Sequence, residues 1–177
     1  MSLREPMDPT DQNLKTLLMK DPARSLAVAE SLTTGHVQAR IGAISGASLF
    51  FRGGVTAYTL KAKVELLGVD REGAERCDCV SETVALQMAR GVTKLFEANI
   101  GVATTGYAEL DAEAGVSSPY AWWAIVEQLP NGDLAERSGR VVTPLLDRVA
   151  VQDLVTDKVW MALMDYLRAM AEPTGSS

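Results

Sequence analysis

Val28-Ala29-Glu30-Ser31-Leu32-Thr33-Thr34-Gly35-His36-Val37-Gln38 is the stretch that decides the fold. The apolar run 26–29 reads as a buried strand, with Glu30 and Ser31 at its carboxyl end. Thr33, Thr34 and Gly35 then open an amphipathic helix. A strand feeding directly into a helix is the unit of an open α/β sheet, and ligands bind such sheets at the carboxyl ends of their strands. The first helical turn there offers unpaired N–H groups and a positive dipole end to an anion. A serine at this turn is an N-cap, a nucleophile, or both.

The chain on either side repeats the alternation. A first helix starts at Pro9-Thr10, buries Leu14, Leu17 and Leu18, and ends at Asp21-Pro22. The helix opened at Gly35 runs to 44, with Val37, Ile41 and Ile44 spaced for burial. A second strand is expected over 53–58, its glycines admitting another backbone or a ligand. Helix 61–67 stops at Gly68, a residue suited to the C′ position. Ser81 caps a long helix over 82–97, and strand 100–104 ends at Thr105-Gly106. After the acidic loop 107–119, strands 121–128 and 134–142 flank Pro130-Asn131-Gly132-Asp133, whose Asn-Gly is a hairpin signal. Trp122 and Trp123 point to opposite faces of their strand. A final helix covers 147–170. The expectation is a three-layer α/β/α sandwich with a mixed, mostly parallel sheet. It forms one domain over 1–170, with a flexible tail over 171–177. The strand ends at Ala29/Glu30, Ala57/Tyr58 and Thr104/Thr105 should converge.

Bulk properties narrow the functional classes. The 177 residues carry a net charge of −6, and 47% of them are hydrophobic. No cluster of Lys and Arg exists to release counterions from a nucleic acid. No apolar run approaches the ~20 residues of a membrane span, and the N-terminus lacks the apolar core of a secretory signal. Cys77 and Cys79, separated by one residue, read as free thiols in a connector, and with one histidine, His36, no metal site is expected. The cytoplasm is the expected compartment.

Several segments together carry a resemblance. Ala29-Glu30-Ser31-Leu32-Thr33-Thr34-Gly35 stands where one known family has A-E-S-C-T-G-G. Ser45-Gly46-Ala47-Ser48, Phe51-Arg52-Gly53-Gly54-Val55, Tyr58, Lys63 and Leu67-Gly68-Val69 match its P-G-x-S…F-x-G-G-V-x-x-Y-x-x-x-x-K-x-x-x-L-G-V. Val80-Ser81, Ala85, Met88-Ala89 and Gly91 match its V-S-x-x-x-A-x-x-M-A-x-G helix. The chain thus resembles the CinA C-terminal domain family, whose bacterial members include nicotinamide mononucleotide deamidases. The resemblance covers about 14–167. It departs from the pattern at Leu32 and Thr34, at Glu109-Leu110 in the loop after the third strand, at Trp122-Trp123, and at Gln152, where D-R-x-x-x-R has its second arginine.

The resemblance implies hydrolysis of the carboxamide of nicotinamide mononucleotide to the nicotinate mononucleotide and ammonia, without a cofactor. Ser31 would be the nucleophile, Lys63 the base (with Lys61 competing for that role), and Tyr58 a relay or orienter of the proton. Keeping a lysine uncharged near neutral pH costs about 4 kcal/mol of differential interaction. Glu30, Thr33, Thr34, Gly35, Gly46, Ser48, Gly54, Thr105, Gly106 and Arg148 would surround the substrate, with Arg148 and the hydroxyls of Thr33, Ser48 and Thr105 taking its phosphate. N–H groups at the start of the helix after Thr34, or at Thr105-Gly106, would hold the oxyanion. Two other readings stand beside this one: a diverged, non-catalytic member that binds a nucleotide or a partner, and an amidase for a less anionic substrate. The resemblance also implies a homo-oligomer.

Overall fold

Every residue of the first strand is buried, because the strand lies between two others and helices cover both faces of the sheet. The computed structural model describes residues 9–144 and 146–171. The elements are α1 (Pro9–Leu18), β1 (Leu26–Glu30), α2 (His36–Gly42), a 3₁₀ turn (Ala47–Leu49), β2 (Phe51–Thr56), α3 (Leu60–Leu67), α4 (Arg71–Glu75), α5 (Glu82–Phe96), β3 (Ile100–Tyr107), β4 (Tyr120–Gln128), β5 (Leu134–Val142) and α6 (Arg148–Ala171). The expected tail falls, from 172 onward, outside the described residues.

The sheet order is β2-β1-β3-β4-β5. β1 pairs in parallel with β2 and with β3; β3–β4 and β4–β5 are antiparallel. Only β4 is reversed, so the mixed, mostly parallel sheet expected from the sequence is what forms. Side-chain alternation divides the core into two. Leu26, Val28, Ile100, Val102 and Ile125 pack with α1, α2 and α6. Ala27, Ala29, Ala103, Ala124 and Val126 pack with α3 and α5. Trp122 joins the second cluster and Trp123 the first, as their adjacent positions on a strand require.

Small residues on the second face let α5 lie close to the strands. A Cβ on Gly101 would strike the Ala89 carbonyl, and one on Gly91 would strike the Leu67 carbonyl. The Gly91 contact presses α3 onto α5, and α3 carries Lys63. Gly54 has the same kind of role on the other face: an added Cβ would lie 2.5 Å from the Gln38 side chain of α2.

Some boundaries move from those expected, with consequences for the site. β2 covers 51–56 rather than 53–58, which leaves Ala57 and Tyr58 in the turn before α3. β3 runs on to Tyr107 because it stays paired with β4 as far as Tyr120. Helix α4, which the sequence reading passed over, is capped by the Asp70 side chain on Gly73 N–H at 2.8 Å. Thr59 and Ser81 cap α3 and α5. Among the described residues, no helix is long and apolar enough to cross a membrane.

Candidate active site

The three strand ends named from the sequence do meet. Ser31 donates its N–H to the Thr104 carbonyl at 3.0 Å, and Ala57 donates its N–H to the Glu30 carbonyl at 2.9 Å. Two left-handed residues, Thr34 (φ 47°) and Gly35 (φ 105°), turn the chain from β1 into α2. The helix has no side-chain cap from a hydroxyl. The buried Glu30 carboxylate takes its place, accepting N–H bonds from Gly35 (2.9 Å), Val37 (3.2 Å) and Gln38 (2.9 Å). Negative charge suits a helix N-terminus, and capping by Glu30 leaves the Ser31 hydroxyl with another task.

That task is at α3. Lys63 is 2% exposed, and its Nζ lies 2.9 Å from Ser31 Oγ. The same Nζ donates to the carbonyls of Ala57 (3.0 Å) and Tyr58 (3.2 Å). An uncharged amine placed so gives its two N–H groups to the two carbonyls and keeps its lone pair for the serine proton. Burial favours that state, lowering the Lys63 pKa below its ordinary value against the opposing pull of Cys79 and Asp78. Lys61, the competing lysine, is 75% exposed at its side chain and lies 3.8 Å from Glu65.

A cleft of about 230 Å³ opens at this pair, lined by Ser31, Tyr58, Leu60, Lys63, Asp78, Cys79, Val80, Thr105, Gly106 and Tyr107. The sequence places Cys79, with Cys77, in a connector as a free thiol and does not single out Asp78. Asp78 and Cys79 both take positive φ, 47° and 60°, a conformation that no spacing in the sequence announces. Burial raises the Cys79 pKa while the nearby Lys63 opposes it, so the thiol is a poor competitor of Ser31 as nucleophile. Tyr107 donates to Asp78 at 2.8 Å, and burial with that carboxylate drives its phenol up.

A second cavity of about 160 Å³ shares Tyr58, Gly106 and Tyr107 with the first and adds Leu32, Ala108, Glu109, Asp111 and Arg148. Arg148 donates to Glu109 and to the Tyr58 hydroxyl, both at 2.6 Å. Tyr58 therefore brings its carbonyl, and not its hydroxyl, to Lys63. A larger depression of about 490 Å³ between α3 and α5 has neither hydroxyl nor thiol in its lining.

The remaining residues read from the sequence divide clearly. Gly106 lines both cavities. Thr33 and Thr105 are buried, with their hydroxyls spent on the Thr104 hydroxyl (2.8 Å) and on the Cys79 carbonyl (2.7 Å). Neither is open to a phosphate, and Glu30 is likewise enclosed. Gly54 is occupied by helix packing. Gly46 and Ser48 sit at the other end of the sheet. Their turn leads to Phe50, whose carbonyl accepts the Leu26 N–H (2.8 Å) at the start of β1, about 15 Å from Ser31 at the rise of a strand. Within one chain they do not reach the cleft.

The departures from the family pattern touch one another. Gln152 donates to the Leu32 carbonyl at 2.7 Å and, more weakly, to the Thr34 hydroxyl at 3.4 Å. Three altered positions thus form one contact beside the cleft. His36 faces Asp153 at 3.2 Å on the α2–α6 surface, away from Ser31.

Comparison with known proteins agrees with this architecture. The model of the CinA C-terminal domain matches residues 9–165. A CinA-like protein of Flavobacterium psychrophilum is 33% identical over 152 residues, 81% of this chain and 35% of that protein. A CinA-like protein of Amoebophilus asiaticus is 41% identical over 99 residues, 56% of this chain and 24% of that protein. The chain spans about a quarter to a third of the length of these relatives. A CinA superfamily protein from Klebsiella pneumoniae superposes with a TM-score of 0.80 at 25% identity, covering 93% of this chain and 99% of that one. The competence/damage inducible protein CihA of Agrobacterium tumefaciens gives 0.72 at 27% identity, with 97% and 100% covered. Family model, relatives and superposed structures agree: the chain belongs to the CinA C-terminal domain family.

Proposed function

We propose that this chain is an amidohydrolase acting on the carboxamide of a small molecule, with nicotinamide mononucleotide as the substrate implied by its family resemblance. The observation that carries the proposal is the buried Lys63 amine, 2.9 Å from Ser31 Oγ and held by two carbonyls. Ser31 Oγ attacks the carboxamide carbon as Lys63 takes its proton. The carbonyl π electrons move to oxygen. The Thr104 carbonyl faces Ser31, and strand alternation turns the Gly106 N–H to that same side, where it serves the oxyanion. As the C–N bond breaks, the Lys63 ammonium returns the proton to the departing nitrogen, releasing ammonia. Water then gives a proton to Lys63 and attacks the ester carbon. Ser31 leaves and regains a proton, and the product is a carboxylate. The two free thiols fit a reaction in the cytoplasm.

Incubation with the mononucleotide, following ammonia and the nicotinate product, tests the reading. Turnover by the unaltered chain should fall by about 10³ or more in Ser31→Ala. Undiminished turnover in that variant removes the mechanism. A second reading, an amide with a less anionic distal group, is favoured by one observation: Glu109 already occupies Arg148, and Asp111 lines the same cavity. Turnover of small neutral amides but not of the mononucleotide selects it. Tight binding of the mononucleotide with no amide turned over selects a non-catalytic member.

A further inference from the structure

Asp78 lines the same cleft as Ser31 and Lys63. It sits in the turn between α4 and α5, exposed, with φ 47°. One oxygen of its carboxylate accepts the Tyr107 hydroxyl at 2.8 Å, and the other has no hydrogen bond among the described residues. Besides Lys63 and Asp78, the titratable groups of the lining are Tyr58, Cys79 and Tyr107. The Tyr58 hydroxyl turns to Arg148. Burial favours the neutral thiol of Cys79 and the neutral phenol of Tyr107. Of the charges on neighbouring helices, Lys61 of α3 lies by Glu65 and Arg71 of α4 by Glu75, both pairs exposed. Arg90 and Lys94 of α5 line a separate depression. With Lys63 uncharged, Asp78 is therefore the one formal charge in the lining of the cleft. That charge opposes the base, because it favours the ammonium.

We infer that Asp78 selects amides whose ring carries a positive charge beside the carboxamide, and that the bound cation switches Lys63 on as a base by expelling its proton to solvent. The inference rests on the amidohydrolase reading and adds to it the residue that discriminates between amides. A carboxamide carbon placed at Ser31 Oγ leaves, in a cleft of about 230 Å³, room for little more than one ring. A charge on that ring lies close to Asp78 and to Lys63 alike. It attracts the carboxylate and repels the ammonium, and both interactions grow as the separation shrinks. The two effects act on Lys63 with the same sign. Neutralising Asp78 removes the pull that holds the proton, and the cation itself pushes the proton off. A neutral amide does neither, so it meets a base still opposed by Asp78. Tyr58 and Tyr107 add aromatic surface to the lining, and organic cations are drawn to aromatic rings.

Two probes of the same shape test the inference: 1-methylnicotinamide, whose ring is cationic, and 3-methylbenzamide, whose ring is neutral. Titration calorimetry on the full chain carrying Ser31→Ala measures their binding without turnover. The cation should bind about five- to tenfold more tightly at low salt. Because Asp78 is exposed, that preference should largely vanish at about 0.5 M salt. The affinity of the cation should rise with pH as Lys63 loses its proton, since binding and proton release are linked. The affinity of 3-methylbenzamide should respond to neither. Adding Asp78→Asn should bring the two affinities to within about twofold. Should that variant fail to fold by circular dichroism, the salt and pH dependence decide. Equal affinities, a preference kept in folded Asp78→Asn, a cation affinity indifferent to pH, or no binding of either probe each overturns the inference. Loss of the amidohydrolase reading shows differently: no amide is turned over by the unaltered chain, while the difference in affinity between the two probes remains.

Discussion

Arg148 and Glu109 face each other at 2.6 Å across the mouth of the second cavity, and the same guanidinium holds the Tyr58 hydroxyl. The cation to which the family resemblance gives a substrate phosphate is thus already paired. Glu109→Gln should release it. The pair is largely exposed and worth about 0.2–1 kcal/mol, so KM for a phosphate-bearing amide should fall by up to about fivefold. KM for a neutral amide should stay put. Parallel kinetics on the two substrates check this, and an equal change in both would refute a charge-specific role for Glu109.

The pH dependence follows from Lys63. Only its uncharged form accepts the Ser31 proton, so kcat/KM should rise with pH along a limb of unit slope. Because burial lowers the Lys63 pKa, the limb should bend below 10.5, the ordinary lysine value. Asp78 acts in the other direction, favouring the ammonium. Asp78→Asn removes that pull, and asparagine tolerates φ 47°. The limb should therefore move to lower pH. A pH–rate profile that stays in place, or moves upward, contradicts the assignment of Lys63 as base.

Glu30 is predicted to act through stability. Its carboxylate accepts three backbone N–H groups at the start of α2. Glu30→Gln sets an amide NH₂ among those donors and should cost about 2–3 kcal/mol. Urea denaturation measures this directly. A loss under ~0.5 kcal/mol would mean that the cap contributes little.

Thr34 occupies a left-handed position with a β-branched side chain, where the family pattern has glycine. Its hydroxyl accepts a weak contact from Gln152 at 3.4 Å. Thr34→Gly should relieve about 1 kcal/mol of backbone strain and raise Tm by about 2–4 °C. An unchanged or lowered Tm would mean that the greater freedom of the unfolded glycine chain offsets the relief.

Local chemistry made much of the fold legible. Two-residue alternation, the caps at Ser81 and Gly68, and the Asn131-Gly132 hairpin depend on neighbours a few positions apart. They place β5 at 134–142, as found. The convergence of the strand ends follows from the right-handed crossover of parallel strands. α4 escaped notice because five residues are too few to show a helical period.

Ser31 and Lys63 are both named from the sequence, and the fold brings them within 2.9 Å; the bonding of the groups around them is not legible there. Ser31 and Lys63 come together because the β2–α3 turn returns the chain across the end of β1. Whether a hydroxyl beside them is open or already bonded depends on groups distant in sequence. Thr105 is claimed by Cys79 and Thr33 by Thr104, while Glu30 is claimed by the helix it precedes. Ser48 matches a family motif yet lies at the far end of the sheet, since a motif gives order along the chain and not position in space. The sequence by itself determined which elements form and the layers into which they stack, because backbone preference and hydrophobic period are local. Tertiary structure alone decided that Lys63 is dry, that Glu30 frees Ser31, and that Glu109 holds Arg148, because burial and charge pairing depend on atoms brought close from distant parts of the chain.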